Sequence, residues 1–314
     1  MNKRTTSGSI WSAVPTPLTA DLTVDVPSVQ RMIRDSIANG VEGLFVAGTC
    51  GEGPWLPDRE RRKLVETAVA EANGRVKIAV QATDNSVPRI LDNIRQAADG
   101  GADYAIIAAP AVFLNATPDR IAALFIEAAG ASPLPVGVYD LGRHRPIMMP
   151  EDRLQQIYTQ PNVHLVKDSS GSPERRAAAL AAREAKPTLR LFNGDEFRCV
   201  EYLEAGYDGC MFGGVVATAP QLQAIVRCVL TGRLDEAKTL DAELRKNLFG
   251  IYGGEKIACW LTGLKYFMVC RGLFTTSASF LKYPLTDDCR AFIESYAAET
   301  AEAPSSKRSA SVIV

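Results

Sequence analysis

One lysine ends an otherwise apolar run, Val163-His164-Leu165-Val166-Lys167, and is followed by Asp168. An amine kept from water has a lowered pKa; unprotonated, it is a nucleophile that condenses with a ketone to form an imine. Pairing with Asp168 outside the core would account for the same residue without chemistry. A second segment, Gly48-Thr49-Cys50-Gly51-Glu52, brackets a hydroxyl residue with glycines. Its backbone N–H groups can converge on a carboxylate while the Thr49 hydroxyl relays a proton, although an ordinary turn with a solvated Glu52 would read the same. Tyr139, closing Pro135-Val136-Gly137-Val138, is either a proton shuttle or a strand residue whose hydroxyl finds a buried partner. Gly213-Gly214 suits a phosphate, or simply lets the backbone approach a ligand. Arg143-His144-Arg145 fits an anionic substrate tail or a solvated loop equally. Cys50 has no histidine nearby in sequence, and burial as a small apolar group is its commoner state. Lys77 falls near the start of its run and reads as structural.

What could hold these residues together is visible in the spacing. Eight short apolar runs begin near residues 9, 42, 76, 103, 135, 163, 189 and 209 and are separated by amphipathic stretches. That is the pattern of repeated βα units and a parallel sheet. Helix starts are marked by Pro57-Asp58, Ser86, Thr117-Pro118 and Ser172-Pro173, and Gly40, Gly74 and Gly100-Gly101 close helical patterns. Eight consecutive units, with no GxGxxG after the first, predict a closed (β/α)8 TIM barrel over residues 8–231. A C-terminal helical domain is expected over 232–300 and a tail over 301–314. In such a barrel the C-terminal strand ends carry the site, which is where Thr49, Tyr139, Lys167 and Gly213 fall.

Composition excludes several classes. Thirty-five basic against thirty-six acidic residues leave a net charge of -1, unsuited to neutralising nucleic-acid phosphates. No apolar window reaches the roughly 20 residues of a membrane span, and the N-terminus has no apolar signal core, so a cytoplasmic location is expected. Seven cysteines without a CxxC pair argue against a disulfide framework or structural zinc. Two histidines are too few for His-rich metal hydrolases and weaken a Ser-His-Asp scheme.

Taken in order, the GTCGE segment, Tyr139 and Lys167, with Val14-Pro15-Thr16-Pro17-Leu18-Thr19 and Gly213-Gly214, resemble the Schiff-base aldolases of the dihydrodipicolinate synthase and N-acetylneuraminate lyase family over nearly the whole chain. The resemblance implies a barrel with an appended helical domain and no metal or cofactor. It also implies a 2-oxo acid such as pyruvate, an aldehyde-type partner and a homotetramer or dimer. Lys167 would attack the ketone. Gly48 and the Thr49 and Cys50 backbone groups would hold the carboxylate, and Tyr139 with the Thr49 hydroxyl would move protons. The chain departs from the family where it has Pro110-Ala111-Val112-Phe113 in place of a tyrosine pair, and Asp140 in place of asparagine. An acceptor pocket altered in this way is expected to be lined by Ala111, Val112, Phe113, Asp140, Arg143 and Met211. The expected activity is a carbon–carbon lyase with an unidentified acceptor. Dihydrodipicolinate production itself, a sugar-acid dehydratase or aldolase, a phosphate-binding barrel enzyme and a non-catalytic 2-oxo acid sensor are the alternatives.

Overall fold

The computed structural model describes residues 6–110, 116–144 and 147–302, apart from the side chains of Arg143 and Glu302. The apolar runs form strands β1 (Ser9–Ser12), β2 (Gly43–Val46), β3 (Lys77–Gln81), β4 (Tyr104–Ala108), β5 (Val136–Asp140), β6 (Val163–Asp168), β7 (Arg190–Asn193) and β8 (Gly209–Phe212). Each is parallel to its neighbours, and β8 closes on β1 through the register Ser9↔Gly209 to Ser12↔Phe212, giving the expected closed barrel. Between the strands run α1 (Val26–Ala38), α2 (Asp58–Ala72), α3 (Val87–Asp99), α4 (Pro118–Ala131), α5 (Glu151–Tyr158), α6 (Pro173–Ala185) and α7 (Cys199–Glu204); α8 (Val215–Leu230) follows β8. Among the described residues three further helices follow: α9 (Leu234–Tyr252), α10 (Trp260–Cys270) and α11 (Asp287–Glu302).

Local chemistry fixes the helix ends. The Thr117 and Ser172 side chains accept the Arg120 and Arg175 N–H groups at the starts of α4 and α6, each followed by proline. After α3 the left-handed residue is Gly101 (φ 87°), while Gly100 keeps a negative φ of -76°.

Side-chain alternation sorts the strands into two layers. Trp11, Phe45, Ala79, Ile106, Tyr139, Leu165, Phe192 and Met211, one from each strand, pack on one another and fill the barrel. Their neighbours, including Leu44, Val46, Ile78, Val138 and Val166, face the helices. The last three helices share one apolar cluster with β1, β2, β3 and β8 and with α1, α2 and α8, so they are fused to that side of the barrel. Among the described residues no helix is long and apolar enough to cross a membrane.

Candidate active site

Leu165 lies inside the barrel, so Lys167, two residues along β6, faces the same way. The register sets Lys167 between Tyr139 on β5 and Phe192 on β7. Its ammonium lies 4.1 Å from the Tyr139 ring centre and 5.0 Å from that of Phe45, and the residue is 4% exposed. Gly194 leaves room for the lysine stem, because a Cβ there would lie 2.9 Å from its Cε and closer still to the Ser169 Oγ. The enclosed amine thus lies against aromatic faces at the C-terminal mouth of the barrel, with the phenol on the adjacent strand.

The turn after β2 forms another wall. Neither the Thr49 nor the Cys50 N–H donates to another described residue. The turn is held from outside: Gly53 N–H donates to the Gly48 carbonyl (3.1 Å) and the Thr16 hydroxyl to the Gly51 carbonyl (2.5 Å). Cys50 is buried against Gly213, where a Cβ would lie 2.9 Å from its sulfur, so glycine is needed there to admit the thiol. Burial pushes that thiol well up, leaving it un-ionised and a poor nucleophile. Met211 is fully buried in the barrel filling below the mouth, as part of its packed floor.

One expectation needs correction, and one of two open readings loses its support. Asp140 does not face the acceptor space. It follows inward-facing Tyr139 and so turns outward, where Arg175 clasps both carboxylate oxygens at 2.8 Å and Tyr158 and the Gly142 N–H donate to them. The α8 N-terminus is not free for a phosphate either. The Glu196 carboxyl accepts the Gly214 N–H (2.8 Å) and the Tyr252 hydroxyl (3.0 Å), so the Gly214 N–H is already engaged. Arg143 lies in a 3-10 turn, Gly142–His144, but its side chain is outside the described residues, as are Ala111, Val112, Phe113 and Arg145. His144 is exposed and, with Thr49, Gln81, Thr83 and Pro110, lines a cavity of about 510 Å³ at the mouth. A larger one, about 720 Å³, opens between α9 and α11 beside Phe249 and Phe292 and holds none of the candidate residues.

Comparison with known proteins identifies the family and the fold. Residues 6–290 match the model of the dihydrodipicolinate synthetase family. The chain belongs to that family. It is therefore an enzyme of the Schiff-base-forming lyase type. Two similar curated relatives are 4-hydroxy-tetrahydrodipicolinate synthases: one from Parasynechococcus marenigrum, 30% identical over 76% of this chain and 78% of the relative, and one from Xanthomonas campestris pv. campestris, 29% identical over 75% and 77%. In fold, the chain is similar to dihydrodipicolinate synthase of Bacteroides thetaiotaomicron (TM-score 0.84, 24% identity, 93% and 98% of the two chains). It is also similar to YagE, a prophage protein of E. coli K12 solved in complex with pyruvate (TM-score 0.83, 20% identity, 94% and 98%).

Within this family member, several residues at the candidate site or packed behind it escaped the sequence reading. Glu196 lies three positions past β7, at a strand end that the barrel rule itself selects. Burial raises its carboxyl to about 7, against the lowering effects of the Gly214 N–H, the Tyr252 hydroxyl and the Lys167 charge. Arg175 carried a weaker signal: a guanidinium in the first turn of α6, where the helix dipole disfavours a cation, calls for a local anion such as Asp140. Glu52, expected to be solvated if the turn were ordinary, is fully buried.

Proposed function

We propose that the protein makes or breaks a carbon–carbon bond beside the ketone of pyruvate or a related 2-oxo acid, with Lys167 as the imine-forming residue. The observation that carries this reading is the enclosed Lys167 amine against the Tyr139 ring, beside a turn whose Thr49 and Cys50 N–H groups donate to no described residue. In the synthetic direction the substrate carboxylate lies on the Thr49 and Cys50 N–H groups, and the Lys167 nitrogen attacks the ketone carbon. Loss of water gives a protonated imine, and removal of a proton from the adjacent carbon gives an enamine. The enamine carbon attacks the aldehyde carbonyl, whose oxygen takes a proton, and hydrolysis of the imine frees product and lysine. Tyr139 and the Thr49 hydroxyl carry the protons. The lytic direction is the same path reversed.

The second substrate would enter over the cavity by Thr49, Gln81, Pro110 and His144. Synthesis from aspartate semialdehyde is the second reading, favoured by the names of the two curated relatives. The deciding experiment is borohydride reduction in the presence of pyruvate, followed by intact mass and peptide mapping. A pyruvyl adduct is expected on Lys167 and is expected to be absent from Lys167→Ala; no adduct with any 2-oxo acid would overturn the reading. A coupled assay with aspartate semialdehyde then separates the synthase from other members.

A further inference from the structure

Glu52 ends the turn that carries Thr49 and Cys50, yet none of its surface reaches water and its φ is 54°, a left-handed value uncommon for a residue with a side chain. Its partners come from the far end of the chain. Lys265, equally buried in α10, forms an ion pair with it across 213 residues. Ser279 Oγ (2.9 Å) and the Phe280 N–H (2.6 Å) also donate to its carboxylate, and Lys265 spends a further donor on the Ala278 carbonyl (2.7 Å). Toward the barrel mouth, the Glu52 N–H donates to the Thr49 carbonyl (3.1 Å). One side chain therefore joins the C-terminal helices to the backbone beside the candidate carboxylate cradle. Stripping water from both charges and holding a left-handed glutamate are each unfavourable, and a turn needed only to connect a strand to a helix requires neither.

We infer that Lys265 is a positioning residue for the substrate carboxylate: through Glu52 it fixes the Thr49 and Cys50 N–H groups in the direction the anion needs, so that α10 and residues 278–280 form an outer part of the 2-oxo acid site. The inference rests on the reading that Lys167 forms an imine with a 2-oxo acid. It differs from a purely structural role in one respect, because the loss it predicts depends on the charge of the carboxylate.

The test is borohydride trapping on the full-length chain with two probes, pyruvate and methyl pyruvate, recording the concentration that gives half-maximal adduct on Lys167. In Lys265→Met the pyruvate value is expected to rise at least about tenfold, while the value for the uncharged ester moves less than about twofold. Glu52→Gln keeps the volume and an acceptor for Ser279 and Phe280, and is expected to shift pyruvate the same way by less. An equal loss for both probes, or an unchanged pyruvate value in a variant whose thermal unfolding matches the wild type, would overturn the inference. If Lys265→Met does not fold, Glu52→Gln decides by the same criterion. Absence of any adduct in the wild-type protein would instead remove the imine reading itself.

Discussion

The ends of β5 and β6 present two faces one residue apart. Inward, Tyr139 stands beside Lys167; outward, Asp140 stands beside Asp168, in the same register. The inner pair is short of partners: the amine lies against rings and makes no ion pair with a described residue. The outer pair is saturated. Asp140 takes Arg175, Tyr158 and the Gly142 N–H, and Asp168 takes the Ser170 N–H and hydroxyl and the Tyr207 hydroxyl. The candidate reactive pair and the saturated polar pair thus occupy opposite faces of the same two strand ends. A one-residue slip would exchange them, so the saturated face also fixes the register that points Lys167 and Tyr139 inward.

The sharpest way to break this division is at the amine. Lys167→Met should abolish trapping with pyruvate entirely and leave the melting temperature unchanged or higher, since an apolar chain of similar length replaces a buried amine. A fall in stability would mean that the inner face is structural too. Tyr139→Phe keeps the ring beside Lys167 and removes only the hydroxyl. Exchange of pyruvate methyl protons with deuterated water, followed by NMR, should slow by about 10²–10⁴-fold while the borohydride adduct still forms. An unchanged exchange rate would remove the phenol from the proton path.

The outer face should respond in the opposite currency. Arg175→Met leaves Asp140 buried without its counter-charge and should cost about 3–5 kcal/mol in denaturant unfolding, whereas Asp140→Leu with Arg175→Met should recover most of it. Protein that remains folded should still trap pyruvate on Lys167. If trapping fails in the folded double variant, the two faces are coupled and the division is wrong.

How much of this was legible in the sequence follows the range of the interactions. Strand and helix order came from short apolar runs separated by amphipathic stretches, patterns that lie within a few consecutive residues, and closure at eight followed by counting. The strand-end positions of Lys167 and Tyr139 were legible because the barrel rule needs only a strand end. Asp140 was placed on the wrong face although the information was present, since a residue next to inward Tyr139 must point out. Glu52–Lys265 could not be read in this way: the partners are separated by 213 residues, and nothing local distinguishes a buried glutamate in a turn from a solvated one. Arg175 and Asp140 are 35 apart, and only their strand and helix phases could have paired them.

Glu196 gives the smallest expected effect, and it tests whether the inner mouth tolerates an acid at all. Its carboxyl is raised by burial from 4.5 to about 7, so between those values the native state keeps a proton that the unfolded chain releases. Native binding of the extra proton makes stability fall as pH rises from 4.5 toward 7, and above 7 the penalty is constant. Glu196→Gln removes the titration while leaving an acceptor oxygen for the Gly214 N–H and the Tyr252 hydroxyl. The variant should match the wild type near pH 4 and become more stable on the order of 1–2 kcal/mol by pH 8, less than the full shift because Glu196 keeps part of its surface in water. Urea unfolding of both proteins at several pH values measures the difference directly. Parallel curves would mean that Glu196 is solvated in the native state, and the mouth of the barrel would then be as open to water as the rim outside it.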